Sequence, residues 1–305
     1  MMKRKPFPHM IVWICSLLLL CGCVSASITT QPLAASPSAD LNDSGGVPRI
    51  EQIDFHSEAL NKTMGFSIYL PPGYDPDRKY PTLYLLYGYG GDRNSWFSFI
   101  PLHKEADRLI MAEEIEPLII VSPDYGSSFG VNSKPGEGDD PGGVDIGSYE
   151  DYLTKDLISY VDGHYPTDAT QASRFIGGAS MGGFASLYLG FTHPELFSKI
   201  GAHSAALWTY SESDQFEGQR DWLYATESLR NARDPFRLAE HVKPDGMQIY
   251  MDVGESDRLI HSNKALYQLL TTKKFDVQWA PKPGGHNRRY WSSQMENYLR
   301  FYAEK

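Results

Sequence analysis

The residues with the clearest chemical potential are Gly178-Ala179-Ser180-Met181-Gly182. They follow the apolar run 174–177 and precede a helical stretch that reaches His193. A serine between glycines at this spacing has the pattern of a nucleophile elbow, a sharp strand-to-helix turn that holds the hydroxyl out. Residues without a Cβ let strand and helix pass close together. The helix start aims N–H groups and a positive partial charge at whatever the serine attacks. The plainer alternative is a glycine-rich turn that happens to hold a serine. A strand before it and a helix after it favour the elbow.

A serine hydroxyl needs a base to take its proton and an acid to orient that base. For a serine on such a turn, the acid comes next along the chain and the histidine after it. His193 ends the elbow helix about three turns from Ser180 and points away. His203 follows a strand, but no suitable carboxylate lies between it and Ser180. His241 sits in a helical stretch, and His261 is too near the best acid. His286 follows the last strand after Pro283-Gly284-Gly285, a turn at the sheet edge where such sites form. It is the expected base. The acid must lie past a strand end before it. Asp252 falls inside the strand, while Glu255 and Asp257 both lie just beyond. Asp257 is preferred because it is deeper in the loop. Two N–H donors should hold an oxyanion: Met181, directly after the serine, and Tyr89 in Gly88-Tyr89-Gly90-Gly91.

The elements that must position these groups can be read from periodicity. Residues 50–56 and 63–70 alternate as two strands of a hairpin. Residues 82–87 and 118–122 are continuous apolar runs, as in strands buried on both faces. Further strands are expected at 174–177, 199–202, 247–253 and 275–280, and helices at 102–114, 149–165, 262–273 and 288–302. This alternation implies an α/β fold with a mostly parallel sheet covered on both faces. The long loop 126–148 and the aromatic-rich stretch 208–230 are where access to the serine should be shaped. The second could equally be a satellite cluster packed under a loop. Asp139, Asp140 and Asp145 fit no calcium-ligand spacing.

The N-terminus is an address. Lys3, Arg4 and Lys5 precede an apolar run over 10–20, too short to span a membrane and laid out as a secretory signal. It ends in Leu20-Cys21-Gly22-Cys23, which resembles the lipobox of bacterial lipoproteins, with Cys23 as the lipidated residue. Cleavage after Val24-Ser25-Ala26 is the alternative. The expected organisation is a signal peptide over 1–22, a flexible tether over 23–48 and a folded domain over 49–305. The tether would reach about 25–30 Å, and the protein would sit in the bacterial envelope, outside the cytoplasm. All three cysteines lie in the leader, which excludes cysteine nucleophiles, cysteine metal sites and disulfides from the domain. The formal charge is −10, or −13 without the three leader cations. Such acidity argues against nucleic-acid binding and leaves membrane attachment to the acyl anchor.

Several motifs together resemble the putative-esterase family of α/β-hydrolases, which includes feruloyl, acetyl xylan and enterochelin esterases, S-formylglutathione hydrolases and mycolyltransferases. They are Tyr69-Leu70-Pro71-Pro72-Gly73-Tyr74, Tyr80-Pro81-Thr82-Leu83-Tyr84-Leu85-Leu86-Tyr87-Gly88, Tyr149-Glu150-Asp151-Tyr152-Leu153, the elbow, and Gly285-His286-Asn287. Tyr87 stands where many members have histidine. The resemblance implies an α/β-hydrolase domain, the triad Ser180, Asp257 and His286, and neither metal nor organic cofactor.

A serine esterase is the expected activity, on small acyl or aromatic esters, with carbohydrate-linked esters among the candidates. Trp96, Phe97 and Trp208 motivate the aromatic option. An acyltransferase would use the same triad, and a peptidase the same chemistry. A non-catalytic envelope binding protein is the alternative of a different class.

Overall fold

The computed structural model describes residues 49–138, 142–210 and 217–304. The leader, the tether, Cys23, Asp139, Asp140 and Phe216 lie outside the described residues. Ser44–Lys305 forms one compact unit.

A hairpin opens the fold, β1 (Arg49–Ser57) and β2 (Lys62–Leu70), turning at Asn61 with φ +48°. The βα units follow: β3 (Thr82–Leu86), α1 (Leu102–Met111), β4 (Ile119–Pro123), α2 (Tyr149–Asp151) and α3 (Leu157–His164). Then come β5 (Arg174–Ala179), α4 (Met181–Thr192) and β6 (Lys199–His203). Three short helices succeed them: α5 (Glu217–Leu223), α6 (Glu227–Arg233) and α7 (Pro235–Leu238). The chain closes with β7 (Gln248–Asp252), α8 (Ile260–Thr272), β8 (Asp276–Trp279), α9 (Arg288–Ser293) and α10 (Met295–Ala303).

The eight strands form one sheet in the order β1-β2-β4-β3-β5-β6-β7-β8. β1 and β2 pair antiparallel, as do β2 and β4; the pairings from β4 through β8 are parallel. Every residue of β3, β4 and β5 is buried, as expected for strands covered on both faces. β4 lies on one side of β3 and β5 on the other, so the winding reverses at β3. Ligands of open α/β sheets bind beyond the strand ends at such a reversal. The ends of β3 and β5 bring Gly88 and Ser180 there.

Three expected helices differ in detail. The first stops at Met111, and Glu113 turns to φ +56° beyond it. The 149–165 stretch is interrupted by a π-helical turn, Tyr152–Asp156, in which Thr154 Oγ1 donates back to the Glu150 carbonyl. Such back-bonding bends helices. The C-terminal helix breaks at Gln294 into α9 and α10. No helix among the described residues is long and apolar enough to cross a membrane.

Candidate active site

β5 ends at Ala179 and α4 begins at Met181, leaving Ser180 alone between them with φ +56° and ψ −115°. That conformation is strained for a residue with a Cβ. Strand, helix and neighbouring loop enforce it. A Cβ at Gly178 would lie 2.6 Å from the Leu86 carbonyl oxygen, and one at Gly182 would collide with the same oxygen. The Ser180 N–H donates to the His203 carbonyl at 2.9 Å, and its own carbonyl accepts from Phe184 and Ala206. Met181 opens α4, so its N–H has no intrahelical acceptor.

His286 Nε2 lies 2.8 Å from Ser180 Oγ, and its Nδ1 lies 2.9 Å from Asp257 Oδ2. Asp257 is buried, and its other oxygen accepts the Leu259 N–H. The two loops are tied together: Glu255 N–H donates to the Lys282 carbonyl, and Ser256 N–H to that of Gly284. Asn287 caps α9 by accepting the Tyr290 N–H, which fixes the chain just past His286. Trp291 meets the His286 ring edge-on at 5.1 Å. Glu255 is exposed and outside this array. His193 pairs with Glu150 at 2.8 Å, away from the serine, and His241 and His261 are exposed. The glycine loop lies against Ser180, for a Cβ at Gly88 would stand 3.4 Å from Ser180 Cβ. Gly91 N–H closes this loop on the Gly88 carbonyl, and Gly90 N–H reaches Ser127 Oγ at 3.4 Å.

The family profile described as Putative esterase matches residues 57–302. The chain belongs to that family. It is 24% identical over 272 residues to an acetyl esterase of Caldicellulosiruptor saccharolyticus, covering 81% of this chain and 96% of that one. It is also 30% identical over 176 residues to an endo-1,4-beta-xylanase/feruloyl esterase of Xylanibacter ruminicola, which is 53% of this chain and 22% of the relative. A solved ferulic acid esterase superposes with a TM-score of 0.71 at 23% identity, covering 85% of this chain and 98% of the other. The fold is that of the solved α/β-hydrolase esterases, and the protein is a carboxylic-ester hydrolase.

In this esterase a cavity of about 660 Å³ opens over Ser180 and His286. Tyr89, Trp96, Phe99, Ile100 and Trp291 form much of its wall, so it is largely apolar. The turn Ser95–Phe99 is held by Trp96, whose Nε1–H donates to the Leu86 carbonyl at 3.0 Å. The 126–148 and 208–230 stretches were expected to shape access. Among the described residues they supply no lining side chain. They act behind the wall: the Tyr89 hydroxyl donates to the Gly142 carbonyl, and Asp145 accepts the Ser127 N–H. Trp208 and Trp222 are buried beside Phe129, which makes the 208–230 aromatics a packed cluster. Phe97 is buried against His103, leaving Trp96 alone of the three proposed aromatics on the cavity. Tyr87 is locked, its hydroxyl accepting the Tyr125 N–H at 2.8 Å while Tyr125 donates to its carbonyl. Burial pushes its phenol well above the ordinary range.

Beside Ser180, His286 and Asp257 the esterase carries a second carboxylate–imidazole pair that sequence reasoning dismissed. His203 and Asp252 are both fully buried, with Nδ1 2.7 Å from Oδ1. Asp252 Oδ2 accepts hydroxyls from Tyr290 at 2.7 Å and Tyr298 at 2.9 Å. Each donor offsets part of the cost of burying this carboxylate. His203 also carries the carbonyl that receives the Ser180 N–H, Asp252 ends β7 just before the loop that holds Asp257, and Tyr290 lies in the first turn of α9, just past His286. One carboxylate thus ties the three segments that carry Ser180, Asp257 and His286.

Proposed function

We propose that the esterase works through an acyl-enzyme on Ser180. The observation that supports it best is the unbroken chain Asp257–His286–Ser180 opening onto an apolar cavity. His286 Nε2 takes the hydroxyl proton as Ser180 Oγ adds to the ester carbonyl. Asp257 holds the Nδ1–H tautomer and stabilises the imidazolium. The N–H groups of Met181 and Tyr89 receive the oxyanion. The C–O bond to the alcohol breaks as His286 returns the proton to the leaving oxygen. Water, deprotonated by His286, then adds to the acyl carbonyl; the C–Oγ bond to Ser180 breaks as His286 returns the proton to Oγ, releasing the acid and the free serine. The substrates are small acyl or aromatic esters, in keeping with Trp96, Phe99 and Trp291 on the wall and with the acetyl and feruloyl esterases among the relatives.

The test is hydrolysis of 4-nitrophenyl acetate, methyl ferulate and acetylated xylan by wild type, Ser180→Ala and His286→Ala. Both substitutions should lower kcat about 10⁴-fold or more. Equal rates in all three proteins would overturn the assignment. Adding a sugar or lipid alcohol and analysing the products separates hydrolysis from acyl transfer through the same triad. Attachment through Cys23 is proposed with it: fatty-acid labelling should vanish in Cys23→Ala, and labelling that persists would rule the anchor out.

A further inference from the structure

The chain pairs its arginines thoroughly. Among the described residues, nine guanidiniums face a carboxylate, as Arg93 faces Asp54, Arg174 faces Asp162 and Arg300 faces Glu296. Arg288 and Arg289, adjacent at the start of α9, are both exposed and, among the described residues, face no carboxylate. In a chain of net charge −10, two such cations in the first turn after His286 put positive charge at the rim of the cavity.

Arg288 is also held in place. Its guanidinium carbon lies 4.6 Å from the centre of the Phe99 ring. Phe99 is 51% exposed and lines the cavity. A guanidinium over an aromatic face keeps its N–H donors for a ligand, and their fork matches a carboxylate. Asp92 lines the cavity too. Its carboxylate accepts the Asn94 N–H and makes no ion pair among the described residues.

We propose that Arg288, braced on Phe99, is a subsite for a carboxylate on the substrate, so that the enzyme favours esters whose acyl or alcohol part carries that anion. Asp92 opposes the anion and limits the preference. The proposal rests on the esterase reading of the cavity.

Two matched pairs of esters test it and distinguish the two sources of the charge. 4-Acetoxybenzoate against methyl 4-acetoxybenzoate places the charge on the leaving group; mono-4-nitrophenyl adipate against 4-nitrophenyl hexanoate places it on the acyl chain. The readout is each variant's charged-to-neutral ratio of kcat/KM relative to wild type, which cancels intrinsic reactivity. Arg288→Gln should lower this ratio about fivefold in at least one pair, chiefly through KM, as losing an exposed ion pair would. Arg288→Lys should retain part of it, Asp92→Asn should raise it, and about 0.5 M salt should suppress the wild-type preference. Lys243→Gln removes an equal charge at an exposed position away from the cavity and should leave the ratio unchanged. A ratio indifferent to Arg288→Gln in both pairs, or one that falls equally in Lys243→Gln, overturns the subsite. Ser180→Ala keeps the failures distinguishable: neutral-ester turnover that survives it overturns the esterase reading, whereas turnover that depends on Ser180 but not on Arg288 overturns only the subsite.

Discussion

Removing the hydroxyl of Tyr290 would leave Asp252 Oδ2 with Tyr298 as its remaining tyrosine donor. A buried acceptor that loses a partner costs about 1–3 kcal/mol. Tyr290→Phe should lower stability by that amount in urea unfolding. It should also reduce kcat more than it raises KM, because the hydroxyl anchors to Asp252 the ring that packs on Gly284 beside His286. The proposed catalytic residues were legible because a strict order along the chain, serine, acid, histidine, leaves few choices. The Asp252 network was not. Its partners stand 49, 38 and 46 residues away, at separations set only by the finished sheet. Rejecting His203 for want of a carboxylate between it and Ser180 applied the triad's order to a pair that does not follow it. Asp257→Asn should cost about 10⁴ in kcat, since it favours the wrong imidazole tautomer; single-turnover kinetics would measure it.

Among the elements, the elbow tolerates least. Gly182→Ala forces a methyl into the Leu86 carbonyl and should destabilise by about 3 kcal/mol, read as a lower denaturant midpoint. The end of α4 is joined to α2 by a pair that responds to pH. The Glu150 hydrogen bond holds His193 above its ordinary 6.5. Burial pushes Glu150 up, but its bonds with His193 and Tyr188 outweigh this and leave it below 4.5. The histidine's share of stability is full below pH 6.5 and fades as pH rises through its raised value. The carboxylate's share is full above pH 4.5 and fades as pH falls through its lowered value. The pair should therefore stabilise most between about pH 4.5 and 6.5. Urea midpoints of wild type and Glu150→Gln should differ most in that window and less above it, where the histidine's share is lost. Strands were easier to read than helices because β3 and β4 are short, mostly apolar runs. The break at Gln294 left no mark, since the apolar positions of α9 and α10 run on in a continuous helical pattern.

At the scale of the whole molecule, the sheet begins at an edge that the sequence itself protects. Along β1, Gln52, Asp54 and His56 are exposed while Phe55 and Ser57 are buried, so the open edge presents polar and charged groups. Deleting the chain before Ser44 should leave kcat/KM unchanged. Deleting through Ser57 should uncover β2 and produce aggregation, which light scattering would detect. The sheet was legible in outline, and its hairpin edge was too. The cavity wall was not legible: the longest loops drew attention, while among the described residues the wall comes from the loop 87–92, the compact turn 95–99 with Ile100, and two residues of the C-terminal segment. That division suits redesign. The strained serine and its helix contribute almost nothing to the wall, so exchanging 92–100 together with positions 288 and 291 between family members, with Tyr290 kept on Asp252, should transplant selectivity while leaving Ser180 and His286 where they are.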